Sequence, residues 1–330
     1  MKAATLFGYY GYDNLGDELL CQQSIKMLKE AHFDKIYLLV NRKKVKDFLQ
    51  TGILPIDRFD LTKVFQAIFK SDVVVCGGGG ILQDQTSLKS LLYYSSLILI
   101  SLALGKPVLL LANSLGPLKH TISRCIVRFI LKRRNLYFIA RDPVSFKYAK
   151  LVGAKYVSLG TDLAVGTIEN LPKLEKEKRI SLCLKSEIEL EPIITVAEIC
   201  GFSEILLVPL SPQDEPACER VSKKYGLRIS TQPLRDLISS SFVVSQRMHG
   251  CLISCLAGIP FISLNNSKSK RFFERYFPNY EGFCSKEDPT KIALTIMKLK
   301  DVKLDAKNLV EDYAKMWNDV LNLLKTLKKE

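Results

Sequence analysis

Short apolar segments closed by turn signals alternate with amphipathic ones along almost the whole chain, and that alternation predicts parallel sheets joined by crossover helices. In the first half the pattern predicts strands near 2–7, 35–40, 71–76, 107–112, 136–140 and 155–159. Helices are predicted between them, near 17–30, 42–50, 61–70, 87–104, 121–133 and 143–151. In the first of these, Cys21, Ile25 and Leu28 share one face while Lys26 and Lys29 turn away, the i, i+4, i+7 spacing of a half-buried helix.

The polar stretch from Glu169 to Arg179, which contains Pro172, breaks the alternation and reads as a linker. A second alternation follows, with strands near 180–184, 204–209, 227–230, 241–245 and 261–264. The segment Asn308 to Leu327 reads as a long amphipathic helix carrying the single tryptophan, Trp317. A chain of 330 residues exceeds what one core usually serves. The pattern therefore predicts an α/β, GT-B-like fold: two Rossmann-like domains with a cleft between them and a long C-terminal helix. Its expected parts are a domain at 1–168, a linker at 169–179, a domain at 180–304 and the helix at 305–330.

The formal charge of +14 favours an anionic partner. No nucleic-acid motif or stacking pattern accompanies it, so nucleic acid ranks behind a phosphorylated small molecule or an anionic membrane surface. The nine cysteines form no C-x-x-C pair and mostly sit in apolar runs, as reduced thiols do, and Cys251 with Cys255 reads as core packing rather than metal ligation. The N-terminus lacks a signal-peptide pattern. The apolar region Leu91 to Ala112 is split by Gly105-Lys106-Pro107 into a helix and a strand. These features predict a cytoplasmic protein without a membrane span.

Four strand-end segments of the first domain are rich in chemistry-bearing residues. Gly8 to Glu18 offers glycines for close backbone approach and Tyr9, Tyr10 and Tyr12 for stacking on a sugar ring, with Asn14 and Asp17 as polar partners. It is neither G-x-G-x-x-G nor a P-loop, and its acids oppose a phosphate. Gly77-Gly78-Gly79-Gly80 leads to Asp84, and four glycines exceed what a turn requires. Asn113 to Pro117 is expected to be a wall. At Ala140-Arg141-Asp142-Pro143, Asp142 suits an N-cap and Pro143 the first helical position. Arg141 then points from the sheet edge as a fork for carboxylate or phosphate, or pairs internally with Asp162.

Only three histidines occur, and His249, in Ser245-Gln246-Arg247-Met248-His249-Gly250, stands where a strand feeds a helix. That places it as the candidate catalytic group; the plainer alternative is a histidine that caps the helix. His32 and His120 lie in a helix end and a basic surface stretch.

Taken in order, Gly8 to Glu18, Gly77 to Ser87 with Leu91-Leu92-Tyr93-Tyr94, Gly105-Lys106-Pro107, Leu115-Gly116-Pro117, Arg141-Asp142, Gly160-Thr161-Asp162 and Arg247-Met248-His249 resemble the polysaccharide pyruvyl transferase family, within it the CsaB type. The resemblance implies transfer of pyruvate from phosphoenolpyruvate to two hydroxyls of one sugar as a cyclic ketal. For the CsaB type the acceptor is the 4,6-diol of N-acetylmannosamine in a lipid-linked cell-wall polymer precursor that serves S-layer anchoring. It also implies an essential arginine, histidine and lysine. These map to Arg141, His249 and Lys268, with Lys270 as the alternative lysine. Donor contacts are then expected from Arg141, Lys268, Arg247, Gly78 and Gly79, and acceptor contacts from Tyr10, Asn14, Asp17 and Asp84. No metal or other cofactor is implied. The alternatives are a nucleotide-sugar glycosyltransferase of similar architecture and a non-catalytic glycan- or anion-binding protein.

The basic stretch Lys119, His120, Arg124, Arg128, Lys132, Arg133 and Arg134 interleaves with Ile122, Ile126, Phe129 and Ile130. It reads either as a helix that rests on anionic lipid or as an ordinary solvated face.

Overall fold

The computed structural model describes residues 2–85 and 87–327, and contacts divide the chain into two compact units. The first gathers Met1–Tyr12, Asp17–Leu163 and Glu311–Glu330; the second gathers Asp13–Gly16 and Ala164–Val310.

In the first unit the order is β1 (Ala3–Phe7), α1 (Leu15–Glu30), β2 (Lys35–Val40), β3 (Ile53–Asp57), α2 (Leu61–Lys70), β4 (Val73–Leu82), α3 (Leu88–Ala103), β5 (Val108–Leu115), α4 (Thr121–Leu131), β6 (Leu136–Ala140), α5 (Pro143–Leu151) and β7 (Tyr156–Leu159). The strands form one parallel sheet, β3-β2-β1-β4-β5-β6-β7, whose order reverses at β1 and β4. One core holds Val74, Cys76, Val108, Leu110 and Phe138 of the sheet together with Ile68, Ile98, Val127 and Ala149 of α2 to α5. Those four helices therefore cover one face, as right-handed crossovers moving in one direction require. Asp142 caps α5 as the sequence suggests, accepting from Ser145 N with Pro143 at the first helical position, and Asp60 caps α2 by accepting from Lys63 N.

Three local expectations are corrected. The helix expected at 42–50 is a single 3₁₀ turn, Arg42–Lys44, with no buried residue, and Leu49 beyond it is 69% exposed. The strand β3 is additional to those expected; it contains Pro55, whose missing amide is tolerated because β3 is an edge strand that pairs with β2. The glycines expected as a loop after β4 lie inside it. Gly79 pairs with Asn113 of a likewise extended β5, and the register shifts before Leu82.

The second unit runs β8 (Glu177–Cys183), α6 (Glu191–Ile199), β9 (Glu204–Leu207), α7 (Glu215–Tyr225), β10 (Arg228–Ile229), α8 (Pro233–Ser239), β11 (Ser240–Ser245), α9 (Met248–Leu256), β12 (Phe261–Leu264), α10 (Ser267–Phe273), β13 (Phe283–Cys284) and α11 (Pro289–Leu299). Its parallel sheet is ordered β10-β9-β8-β11-β12-β13. Ile180, Leu182, Phe242, Val244 and Ile262 pack with Ile193, Val221 and Ile296 of the helices. Residues Glu177–Arg179, read as linker from sequence, begin β8, and the buried Arg179 guanidinium pairs with Glu204 at 2.6 Å and Asp236 at 3.2 Å. Cys251 and Cys255 lie in the core, where burial pushes both thiols up to about 12.

The last helix, α12 (Lys307–Thr326), packs by its C-terminal part within the first unit. Tyr313 bonds Gln23 at 3.2 Å and the Trp317 indole donates to Glu30 at 2.8 Å, both on α1. Gly160 has no room for a side chain, since a Cβ there would lie 2.5 Å from the Met316 sulfur. Among the described residues no helix is long and apolar enough to cross a membrane.

Candidate functional site at the strand ends

The carboxyl ends of parallel strands are where α/β proteins place ligands. In the second unit, β11 hands over to α9 through Gln246 and Arg247. The backbone of Arg247 is pinned by Ser245, whose hydroxyl donates to Arg247 O at 2.7 Å and accepts from Arg247 N at 2.9 Å. Arg247 is the N-cap residue of α9 and its side chain makes no capping bond; the His249 imidazole, in the first turn, is half-buried. Gly16 lies against that ring: a Cβ at Gly16 would fall 1.9 Å from His249 Nδ1. Leu15 N donates to Leu210 O at 2.8 Å and holds the segment there. The glycine of the first loop is thus explained by the imidazole it admits.

Hydrogen bonds tie neighbouring strand ends to one another. The Gln246 side-chain oxygen accepts from Lys185 N at 2.7 Å and Ser186 N at 2.9 Å, beyond β8. Asn266, beyond β12, donates to Gln246 O at 3.3 Å, and Lys286, beyond β13, donates through its amide to Asn265 at 2.9 Å. The Lys286 ammonium reaches Ser186 Oγ at 3.1 Å. Lys185, Arg247, His249, Lys268 and Lys286 therefore all follow the carboxyl ends of one sheet's strands. Arg247 is charge-balanced by the fully buried Asp214, its Nε lying 3.0 and 3.1 Å from the two carboxylate oxygens. Lys268 is half-buried in the first turn of α10, whereas Lys270 is exposed and faces Glu274 at 3.7 Å.

In the first unit the expected ligand groups are engaged in the fold itself. Arg141 is only 3% exposed; its Nη1 donates to Asp162 at 2.8 Å and its Nε to Ser114 Oγ at 2.9 Å. The internal pairing raised from sequence is the one found. Tyr10, expected at the acceptor, is 1% exposed and donates its hydroxyl to Gly77 O at 2.5 Å. Its ring occupies the space that a Cβ at Gly8 would need, and a Cβ at Gly77 would fall 2.1 Å from Ser24 Oγ and 2.4 Å from the Tyr10 hydroxyl, so both glycines serve local packing. Gly78 and Gly79 have φ of +81° and +88°, which side-chain-bearing residues rarely adopt. Asp84 accepts from Lys119 N at 2.7 Å and His120 N at 2.9 Å. Burial pushes this carboxyl up, but the two amides outweigh it and hold it at about 2. Its carboxylate thus fastens a turn. Asn14 and Asp17 are half-buried, Asn14 in the segment that clusters with the second unit. Tyr9 and Tyr12 stack on each other at 4.1 Å.

The family model of polysaccharide pyruvyl transferase matches residues 14–268, a span that includes Gly16, Arg141, Arg247, His249 and Lys268. The chain belongs to the polysaccharide pyruvyl transferase family. Membership makes it a transferase acting on polysaccharide. No curated protein sequence matches the chain. Solved structures similar to it include the UDP-GlcNAc 2-epimerase of Methanocaldococcus jannaschii, with 13% identity, TM-score 0.63, and 98% of this chain and 99% of that one covered. The MnaA–UDP structure of S. aureus gives 11% identity and TM-score 0.63 over 100% and 99% of the chains. The Neisseria meningitidis UDP-GlcNAc 2-epimerase bound to UDP-GlcNAc gives 12% and 0.61 over 98% and 99%. At such identities the likeness establishes the GT-B-like fold class of this pyruvyl transferase family member and nothing of its chemistry.

Four polar residues of this family member escaped the sequence reading. Asp214, Gln246 and Lys286 sit in loops whose periodicity carries no signal, and only the strand order brings them beside His249's turn. Arg58 follows β3, the strand not expected from sequence. It is buried, donates to Gly8 O at 3.2 Å, and lies within 4.8 to 5.7 Å of the Tyr12, Phe59, Tyr93 and Tyr94 rings. Burial disfavours its charge, yet Tyr94, Tyr93 and Tyr12 more than offset that and raise its pKa.

Proposed function

We propose that this protein transfers pyruvate from phosphoenolpyruvate to the 4,6-diol of an N-acetylmannosamine residue in a lipid-linked cell-wall polymer precursor, the CsaB type of reaction, in the cytoplasm. The observation that carries this reading is the grouping of Lys268, Lys286 and His249 at the strand ends of one sheet, in a chain of the pyruvyl transferase family. Phosphoenolpyruvate bears a carboxylate and a phosphate, so its site needs at least two cations. Lys268 and Lys286 are assigned that part. Arg247, balanced by Asp214, positions the turn that carries His249. Arg141, balanced by Asp162, orders Ser114 and Asp142.

In the first step one sugar hydroxyl bonds to C2 of the enol while a proton goes to C3, which becomes the methyl group. His249 handles that proton, either by giving it to C3 or by taking it from the hydroxyl. In the second step the other hydroxyl bonds to C2, the C2–O bond to phosphate breaks, and the hydroxyl proton leaves with the phosphate. Asn14, in the segment beside the imidazole, is assigned to the acceptor, with Asp17 as its neighbour in sequence.

The test is phosphate release from phosphoenolpyruvate with and without a lipid-linked acceptor ending in N-acetylmannosamine. Release should depend on the acceptor, and the product should gain a ketal carbon. Release of UDP from a UDP-sugar, with none of phosphate, would replace this reading with the glycosyltransferase one.

A further inference from the structure

The excess positive charge is concentrated rather than spread. Residues 61–160 contain fourteen Lys and Arg against three Asp and no Glu, in a chain whose whole excess is +14. The four helices α2, α3, α4 and α5 contain no acidic residue at all. The three aspartates of the segment are engaged elsewhere: Asp72 accepts from Ala3 N, Asp84 from Lys119 N and His120 N, and Asp142 caps α5.

The same helices expose large apolar side chains. Along α4, Arg124, Arg128 and Lys132 are exposed at i, i+4, i+8, and Ile122 and Phe129 lie beside them at 58% and 51% exposure. On α5, Val144 and Lys147 are exposed, and on α2 so are Phe65 and Phe69. Cations lie over rings in this layer, Arg133 over Phe129 at 3.5 Å and Lys106 over Phe69 at 5.8 Å. At the head of α4 and α5 a mainly apolar recess of about 220 Å³ opens among Leu115, Pro117, Leu118, Arg124, Val144 and Tyr148.

Helices free of acids, with cations interleaved among exposed phenyl and aliphatic groups, match an anionic bilayer: phosphates outside, hydrocarbon just beneath. Phosphodiester binding alone would reward the cations but not exposed isoleucine and valine. We propose that the outer face of the α2–α5 layer, centred on α4 and α5, docks on an anionic phospholipid membrane. The lipid headgroups meet Arg124, Arg128, Lys132 and Lys147, and Ile122, Phe129 and Val144 enter the acyl boundary. This goes beyond the donor chemistry and does not depend on the acceptor assigned above.

The test is co-sedimentation of the full chain, without substrate, on vesicles of phosphatidylglycerol and phosphatidylcholine and on pure phosphatidylcholine, at near-physiological salt. The parent should bind the anionic vesicles and not the neutral ones. Arg124→Gln, Arg128→Gln, Lys132→Gln and Lys147→Gln together should weaken binding by on the order of a hundredfold or more, since each basic group near such a surface is worth about fivefold. Ile122→Ser with Phe129→Ser, both exposed, should remove the part of binding that survives high salt. Lys223→Gln, Lys224→Gln, Lys291→Gln and Lys298→Gln make the same charge change on the second unit and should leave binding within a few-fold. Failure of the parent to bind, an equal loss in the second-unit variant, or tighter binding to a DNA duplex than to vesicles would each overturn the proposal. Phosphate release measured on a water-soluble acceptor analogue reports separately on the transfer reaction.

Discussion

The strand-end turns of the two units use similar residue types in opposite ways. In the first unit, Tyr10, Asp84 and Arg141 spend their polar groups on the backbone or on a buried side chain: tyrosine on the Gly77 carbonyl, aspartate on two amides, arginine on Asp162. In the second, Gln246, Asn266 and Asp214 take up that supporting work, and His249 and Lys268 remain half-buried. A glycine-rich or charged turn is therefore not a ligand site by composition. What decides is whether neighbouring strands already satisfy its donors, acceptors and charges.

The sharpest way to break this comparison is His249→Gln. It should cut turnover by about 10²–10⁴-fold, the usual range for lost acid–base catalysis, and leave phosphoenolpyruvate affinity by calorimetry within a few-fold. Unchanged turnover would remove the second unit from the chemistry.

Asp162→Asn should next lower stability by about 3–5 kcal/mol in denaturant titration, because it strands the buried Arg141 charge. Donor affinity should stay within a few-fold. A marked tightening would mean that the released guanidinium is a donor ligand, and would return the donor to the first unit.

Lys268→Met should weaken phosphoenolpyruvate binding by about 10–150-fold, as for a lost hydrogen bond to a charged group, and Lys270→Met by less than about twofold, since Lys270 is exposed beside Glu274. Equal effects would break the choice of Lys268 over Lys270.

Tyr10→Phe removes the buried hydrogen bond to Gly77 O and should cost about 0.5–1.5 kcal/mol of stability, with no change in acceptor KM. A raised KM with unchanged stability would put Tyr10 back at the acceptor.

The smallest effect is expected from Asp84→Asn, read in the melting temperature as a function of pH. The Asp84 carboxyl lies at about 2 in the fold, below its ordinary 3.8, so its stabilising bonds are present above about pH 4 and fade as pH falls toward 2. The parent should melt higher than the variant at pH 7, and the gap should close between pH 4 and 2. A gap independent of pH would mean that shape, not charge, holds the turn.

Much of the fold was legible in the residues because strands buried on both faces must be apolar throughout and helices on a sheet must be apolar on one side. All eight residues of β5 are buried, and α5 lies at 143–151 with the Asp142 cap and Pro143 start that its sequence announces. The short β3 was not legible, since its stability comes from pairing beside β2 and not from its own pattern.

For the site, the residues alone singled out His249 between a strand and a helix and an arginine at the end of β6, whereas the lysine, Lys268 or Lys270, came only from the resemblance to the family. Which of them are engaged internally only the tertiary structure decided. Arg141 and Asp162 are 21 positions apart, Tyr10 and Gly77 are 67 apart, and the ring that excludes a Cβ at Gly16 belongs to residue 249. Side-chain periodicity reports how a segment meets its own sheet; it carries no information on which distant donor or charge will satisfy it, because that depends on strand order and register.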